Sequence, residues 1–420
     1  MAFHNPSSEE EALSEEVEVE GHLIDSMILT KIFDRIMDLG GDFEVLEFRI
    51  GKRKTEPSYA KLLLKGRTRA HLEFMLQELY RLGASQPRVV EARLVPAPSD
   101  SVLPDDFYST TNHATEVFVK GQWVRVERQA MDKAIVIDLD GPKAVCKSIV
   151  EVKRGELVMV GEAGVRVKPP EYPRHGTGIF EFMSSRTSSE KPSASVVRQI
   201  AKDIASVKRG MGKIVVVAGP AVVHTGAAEP LARMIRLGYV DALLAGNALA
   251  VHDVESALYG TSLGISLENG SSTLKGNRNL LAAINEVMKA GSLREAVRKG
   301  ILKKGIMFEC IVNSVPYTLA GSIRDDGPIP DVITDSVEAQ RKYREILNGA
   351  ELVLMLASML HSIAVANLLP STVKTVCVDI NAAVPTKLLD RGTAQAIGII
   401  SDVGTFLPLL ADELARLKAE

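Results

Sequence analysis

Asn247, Ser358, Asp379 and Asp402 each close a run of apolar residues, and a polar group at that position can meet a ligand. Their runs read VDALLAGN, ELVLMLAS, VKTVCVDIN and QAIGIISDVG; another, KIVVVAGP, ends at Gly219 and Pro220. A carboxylate at the end of a buried strand can accept hydrogen bonds from ribose hydroxyls, as Asp379 after TVCV or Asp402 after GIIS could. Either could instead cap the helix that follows. In GPAVVHTGAAEP, Gly219 and Gly226 bracket a turn between a buried strand and a helix beginning near Ala227. Glycine permits close backbone approach there, and a helix N-terminus attracts anions. Neither the G-x-G-x-x-G fingerprint nor the phosphate-loop pattern G-x-x-x-x-G-K-[ST] is present. His224, in that turn, could serve as a general acid or base or could only cap the helix. His224, His252 and His361 lack the i, i+4 spacing of a zinc helix, so no metal site is expected. Cys310, in IMFECIVNS, reads as core rather than nucleophile. The stretch YTLAGSIRDDGPIPDVITD, Tyr317–Asp335, breaks from a strand into a loop with Arg324, Asp325 and Asp326 before Gly327 and Pro328. It suits a rigid turn, and equally a lip over a cofactor.

These positions need a scaffold, and the sequence supplies one. Runs rich in Val, Ile and Leu without polar alternation are what strands need when both faces are covered. Helical patterns separate them: PLARMIRLGY, EAQRKYREILNG, LHSIAVANLL, VPTKLLDRG and FLPLLADELARLK. The alternation predicts an α/β domain with a parallel sheet over residues 193–420, with ligands at the carboxyl ends of its strands.

The first half reads differently. Residues 1–15 form an acidic arm, expected to be mobile. Over residues 16–97, strands at Val17–Leu23, Phe43–Ile50, Tyr59–Leu64 and Val89–Val95 alternate with helices at Leu29–Leu39 and Thr68–Leu82. That β-α-β-β-α-β order predicts a small ferredoxin-like unit. Its loop GKRKTEPS, with Lys52, Arg53 and Lys54, is an anion contact or a solvated hairpin tip. PAPSDSVLP reads as a linker. Residues 105–190 hold short β-rich runs (EVFVKG, WVRVER, KAIVIDL, AVCKSIV, ELVMVGEAGVRV) and a connecting segment, Arg174–Lys191. They predict a small β domain, a barrel or a sandwich. Ahead of them lies DFYSTTNHA, Asp105–Ala114, whose dense hydrogen-bonding groups can cap a turn or line a pocket.

Composition narrows the class. The chain has 420 residues, 46% apolar and 25% charged, which is ordinary for a globular protein of two or three domains. A formal net charge of -3 gives no electrostatic reason to expect nucleic acid or an anionic membrane. Cys146, Cys310 and Cys377 lie far apart, and the acidic start is unlike a signal peptide, so a reducing cytoplasm is expected.

Several of these segments together carry a resemblance. GPAVVHTGAAEP, LLAGNALAVHDVESALYGTSLG, NSVPYTLAGSIRDDGPIPDVITD, VLMLASMLHSIAVANLLPSTVKTVCVDIN and IGIISDVG resemble the archaeal-type ornithine cyclodeaminase family. EPSYA, FYSTTNH and FMSS…SSEKP extend the likeness from about Val17 to the C-terminus. The same region forms the C-terminal part of cyanobacterial arginine dihydrolase/ornithine cyclodeaminases and is related to the lysine-oxoglutarate reductase/saccharopine dehydrogenase conserved region. The resemblance implies a deoxyhypusine-synthase-like NAD-binding domain and conversion of L-ornithine to L-proline and ammonia, with NAD as recycled hydride acceptor and donor. It assigns NAD contacts to Asn247, Ala248, Asp326, Ser358, Met359, Leu360, His361, Asp379, Asp402 and Val403. The backbone amides of Ser358–His361 would suit the pyrophosphate. It places Tyr108, Thr111, Asn112 and His113 against substrate, and leaves Asp326 or His224 to move protons. The chain departs from the family's pattern in LKGNRNLLAAIN, Leu274–Asn285, where Asn277 and Leu280 stand in a segment that tends to carry histidines. The alternatives are an NAD-dependent amino-acid or saccharopine-type dehydrogenase, and a non-catalytic NAD-binding regulatory protein. Apolar residues on DVESALYGTSLG and LLAAINEVMKAG add the expectation of a homo-oligomer, a dimer or tetramer.

Overall fold

The computed structural model describes residues 13–24, 26–52, 56–85, 89–169, 194–263, 265–267, 276–325, 327–390 and 396–419. Residues 1–12 of the expected arm, the connection Arg174–Lys191, Arg53, Lys54 and Asp326 lie outside them. The chain divides into two compact units, Met1–Gly176 and Thr177–Glu420. No helix among the described residues is long and apolar enough to cross a membrane.

The first unit opens with β1 (Leu13–Gly21), α1 (Ile28–Asp38), β2 (Asp42–Arg49), β3 (Ser58–Gly66) and α2 (Arg69–Arg81). The strands pair antiparallel in the order β1-β3-β2. Every second residue of β3 is buried, the period-two pattern of a sheet with one face on a core. Against that face α1 presents Ile28, Ile32 and Ile36, spaced by four, and α2 presents Leu72, Met75 and Leu79. α2 is started by Thr68, whose side chain accepts the His71 N–H.

The fourth strand departs from expectation. Beside β1 only Ser85, among the described residues, takes the fourth-strand position, exchanging two backbone bonds with Glu18 (2.8 and 2.7 Å). β4 (Arg93–Pro96) leaves this sheet and pairs with β9 (Leu157–Val160) as the edge of a second one. Pro96 has no N–H to donate, and an edge strand tolerates that. The second sheet contains β5 (Ala114–Val119), β6 (Gln122–Glu127), β7 (Ala134–Asp138), β8 (Lys143–Lys147) and β10 (Val165–Lys168). Its order is β10-β5-β6-β8-β7-β9-β4, antiparallel except for β6 and β8.

The second unit begins with α3 (Ala194–Arg209), β11 (Lys213–Ala218), α4 (Ala221–His224), α5 (Ala228–Arg236), β12 (Ala242–Gly246) and α6 (Asn247–Tyr259). A two-residue-stranded hairpin, β13 (Thr261–Ser262) and β14 (Ile265–Ser266), precedes α7 (Gly276–Ala290), α8 (Leu293–Arg298) and α9 (Ile306–Val312). Then come β15 (Tyr317–Ala320), β16 (Val332–Ile333), α10 (Ser336–Leu347), β17 (Ala350–Leu356) and α11 (Met359–Leu368). The unit ends with β18 (Lys374–Asp379), α12 (Ala383–Asp390), β19 (Ala396–Ile400) and α13 (Val403–Ala419). The large sheet runs β16-β15-β12-β11-β17-β18-β19, every pair parallel.

β11 shows why its run is apolar throughout. Ile214, Val216 and Ala218 enter the core on one face, beneath α3, α5 and α13, while Val215 and Val217 enter the other, beneath α10 and α11. Both faces are dry, so neither parity of residue can be polar. The chain moves outward from β11 through β12 and β15, then returns to the other side of β11 at β17. Counted along the chain, that is a 3-2-1-4-5-6 sheet with β16 added outside the third strand. The order reverses between β11 and β17, and in sheets of this kind the crevice lies outside the carboxyl ends at that switch point.

Gly219 makes that crevice possible. Its N–H donates to the Leu356 carbonyl (2.9 Å), and a Cβ at this position would stand 1.9 Å from the Ala357 carbonyl oxygen. Gly219→Ala therefore forces two backbones apart and should destabilise the unit by about 1–3 kcal/mol. An unchanged thermal melt for that variant would show that the strand ends do not depend on this approach.

Candidate functional site

The carboxyl ends of β11, β12 and β17 meet through small residues. A Cβ on Gly246, at the end of β12, would lie 2.8 Å from Cε1 of His361 on α11. His361 thus lies against the end of β12, with Nδ1 3.2 Å from Ser358 Oγ. Tyr343 supports the arrangement from α10, donating its hydroxyl to the Ala245 carbonyl at 2.6 Å. Burial holds the His361 imidazole below its usual pKa, against the charge of Asp325.

Helix starts around the crevice are of two kinds. Asp335 caps α10 by accepting the Val337 and Glu338 N–H groups. Among the described residues, no N-cap side chain bonds the start of α4 at Pro220, α6 at Gly246 or α11 at Ser358. Ser358 spends its hydroxyl on His361, which leaves the first-turn N–H groups of α11 to another acceptor. Met359 and Leu360 beside them are exposed. Uncapped donors, a positive helix end and a crevice whose walls touch through Gly219 suit an anionic ligand with a pyrophosphate.

The residues expected to touch the cofactor fall into three behaviours. Asn247 is 2% exposed and spends its amide on the loop after β15: Oδ1 accepts the Ile329 N–H (3.2 Å), and Nδ2 donates to the Gly327 carbonyl (3.4 Å). It ties down the chain at Gly327–Ile329, and Ala248 follows it in the first turn of α6. Asp379 is buried at the end of β18, where Oδ1 accepts the Asn381 N–H (2.8 Å). Asp402 accepts the Gly404 N–H (2.9 Å), so it caps the start of α13, which opens at Val403. Asp325, beside the undescribed Asp326, accepts the Ser322 N–H (2.8 Å).

Within the first unit, Tyr108 is 2% exposed and packs in the core of the larger sheet, and Asn112 is 1% exposed. Only Thr111 and His113 of the four expected substrate residues are partly exposed. Thr111 Oγ1 accepts the His113 N–H at 3.2 Å. Burial and the nearby Lys31 charge push the His113 imidazole down to about 4. In the departing segment, Leu280 packs against the main core of the second unit.

His224 stands on α4, just past Gly219, and belongs to a cluster that the sequence did not reveal. Its Nδ1 is 2.7 Å from Ser262 Oγ, and its ring meets that of His252 edge to face, centroids 4.5 Å apart. His252 Nδ1 donates to Glu255 Oε2 at 3.0 Å, and Glu255 is fully buried. The i, i+3 spacing of His252 and Glu255 on one helix was the available signal, legible only once α6 is known to face α4. Among the described residues, no three His, Cys, Asp or Glu are grouped so as to hold a metal ion.

Three family models match the chain in succession. Residues 14–113 match the LOR/SDH bifunctional enzyme conserved region, and residues 114–197 the first region of the C-terminal part of ArgZ-like arginine dihydrolase. Residues 198–410 match the Rossmann fold of that same C-terminal part. The ornithine cyclodeaminase of Methanocaldococcus jannaschii is 59% identical over 410 residues, spanning 96% of this chain and 97% of the relative. The chain belongs to the archaeal-type ornithine cyclodeaminase family. Among solved structures, apo ArgZ, a cyanobacterial arginine dihydrolase of the ornithine–ammonia cycle, aligns with a TM-score of 0.84 at 42% identity. That alignment covers 96% of this chain and 58% of ArgZ. AgrE in its ternary complex with ornithine and NAD+ aligns at 44% identity with a TM-score of 0.53, over 97% of this chain and 59% of AgrE.

Burial, then the neighbouring His252, push the His224 imidazole from 6.5 down to about 4. The folded chain therefore binds fewer protons at this ring than the unfolded chain between those two values, and stability falls as the pH drops through that window. NMR titration of the ring should find His224 neutral down to about pH 4. A midpoint at its ordinary value would contradict the enclosure described here.

Proposed function

We propose that the chain converts L-ornithine to L-proline and ammonia with NAD as a recycled electron carrier. The observation that carries this reading is the 59% identity to an ornithine cyclodeaminase along 96% of the chain. The crevice supports it: uncapped helix starts at Gly246 and Ser358 flank the Gly219–Ala357 approach. NAD, when bound, supplies an acceptor for electrons from the substrate and returns them within the same turnover. The backbone of Ser358, Met359, Leu360 and His361 would hold its pyrophosphate, beside Asn247 and Ala248. Asp379 would take ribose hydroxyls, with Asp326, Asp402 and Val403 completing the contacts.

Proton bookkeeping defines what the side chains must do. The ornithine cation becomes zwitterionic proline and an ammonium ion, so no proton is gained or lost overall. The δ-nitrogen gives up one proton as it becomes the ring nitrogen, and the departing α-nitrogen takes one as it leaves. A neutral imidazole beside the crevice can accept that proton and return it. His224 is assigned this work, with Asp326 as the second acid–base group.

Purified chain with ornithine and a trace of NAD should form proline and ammonia in equal amounts over many turnovers, with no accumulation of NADH. One NADH per substrate, together with an oxo acid, would instead identify a dehydrogenase; NAD binding without turnover would identify a regulatory protein. Asp379→Ala should weaken NAD binding by about 1–3 kcal/mol, the range for a buried polar partner left unmatched. Unchanged NAD affinity in a variant that still melts cooperatively would remove Asp379 from the site. The chain is also proposed to be a homo-oligomer, because α7 exposes Leu281 and Met288, two turns apart on one side of the helix. Light scattering at micromolar concentration should give a dimer or larger, and a monomer would reject it.

A further inference from the structure

Glu255 is fully buried and sits between the two groups that touch His224. On one side it holds His252, whose Nδ1 donates to Oε2. On the other side it holds both neighbours of Ser262. Thr261 Oγ1 donates to Glu255 Oε1 at 2.9 Å, and the Leu263 N–H donates to Oε2 at 3.3 Å. Leu263 has φ of 54°, a left-handed turn that costs a branched side chain energy unless its surroundings hold it. Asn279 of α7 adds a bond from Nδ2 to Thr261 Oγ1 at 3.0 Å. One carboxylate thus fixes the Ser262 hydroxyl against Nδ1 of His224 and the His252 ring against its face.

A carboxylate this deep would be costly without donors, and here side chains of two elements and a backbone N–H supply them. A carboxylate that gathers these donors sets the direction of the proton between it and His252. An ionised Glu255 can only accept, so His252 carries its proton on Nδ1. Ser262 engages Nδ1 of His224, which leaves Nε2 as the ring nitrogen for a substrate amine. Among the described residues, the titratable groups acting on His224 are His252 and, behind it, Glu255.

We propose that Glu255 is the positioning residue of a proton-transfer site centred on His224, clamping Ser262 and His252 so that Nε2 of His224 meets the amine nitrogens of the substrate. The inference rests on the ornithine reading above and adds to it the residues that hold the base. The proton that Nε2 takes from the δ-nitrogen goes to the departing α-nitrogen, so the site ends each turnover as it began.

The test compares Glu255→Gln, Ser262→Ala and the double variant. Glutamine matches the shape of Glu255 but offers one acceptor oxygen where three donors converge. Each single variant should lower kcat by roughly 100-fold through misplacement of the base, with KM for ornithine and affinity for NAD little changed. The double variant should be no worse than Glu255→Gln alone, because both act through His224. Heteronuclear NMR of the histidine ring nitrogens in the ligand-free chain should show the Nδ1 and Nε2 signals of His224 moving in both single variants. Wild-type kcat in either folded single variant, additive losses in the double, or unmoved His224 signals would overturn the proposal. If Glu255→Gln does not fold, Thr261→Val, which removes a bond to Glu255 and keeps Ser262, should still move the His224 signals, and unmoved signals there would overturn the proposal. A wild type that makes no proline would sink the ornithine reading instead, and the NMR comparison would still decide whether Glu255 governs His224.

Discussion

The contact between Gly219 and the Ala357 carbonyl is the constraint on which the second unit depends. β11 and β17 are neighbours in space but far apart in the chain, and each leads into a helix on the opposite face of the sheet. Their backbones can touch at the exit only where one residue has no Cβ and the other accepts an unusual turn. Gly219 provides the first condition, and Ala357, with φ of 46°, the second. The left-handed turn at Ala357 directs the chain into α11, which brings His361 against Gly246 at the end of β12. A single backbone approach therefore places three strand ends around one crevice.

Around that crevice the helices share out their polar groups unevenly. Asp335 and Asp402 satisfy the starts of α10 and α13 with their own carboxylates. The starts of α6 and α11 have no such cap among the described residues, and their nearest polar side chains are used elsewhere, Asn247 on the loop at Gly327–Ile329 and Ser358 on His361. Donors left uncapped at the switch point of a parallel sheet give affinity for anions without requiring a charged side chain.

α6 carries two deeply buried acids, and they do different work. Asp253 accepts the Ile306 and Met307 N–H groups (2.9 and 2.8 Å), holding the start of α9, and burial raises its carboxyl to about 6. Glu255, two residues on, faces His252 and the 261–263 turn. Two residues apart on a helix, the acids point to nearly opposite sides, so structure and the candidate site are served separately. The same logic places Cys310 in the core of α9, where burial and the nearby Asp253 raise its thiol well above the ordinary range.

Sequence alone determined what local pattern can determine. Unbroken apolar runs required a sheet covered on both faces, and the polar or small residues that end them mark the crevice at Gly219, Asn247, Ser358 and Asp379. Long motifs carried the family. The sequence did not determine which neighbour each strand chooses. Residues 93–96 have a strand's composition in either sheet, and only the competing bridge between Ser85 and Glu18 and the open edge at β9 sent them to the second. Nor did it determine the task of each polar side chain, because a hydrogen-bond partner is a matter of distance in space. Asn247 and Asp402 look alike as strand-end polar residues, yet one ties down a loop and the other caps a helix. His224, Glu255 and Ser262 stand on three different elements, and only the packing of α6 on α4 brings them together around one imidazole.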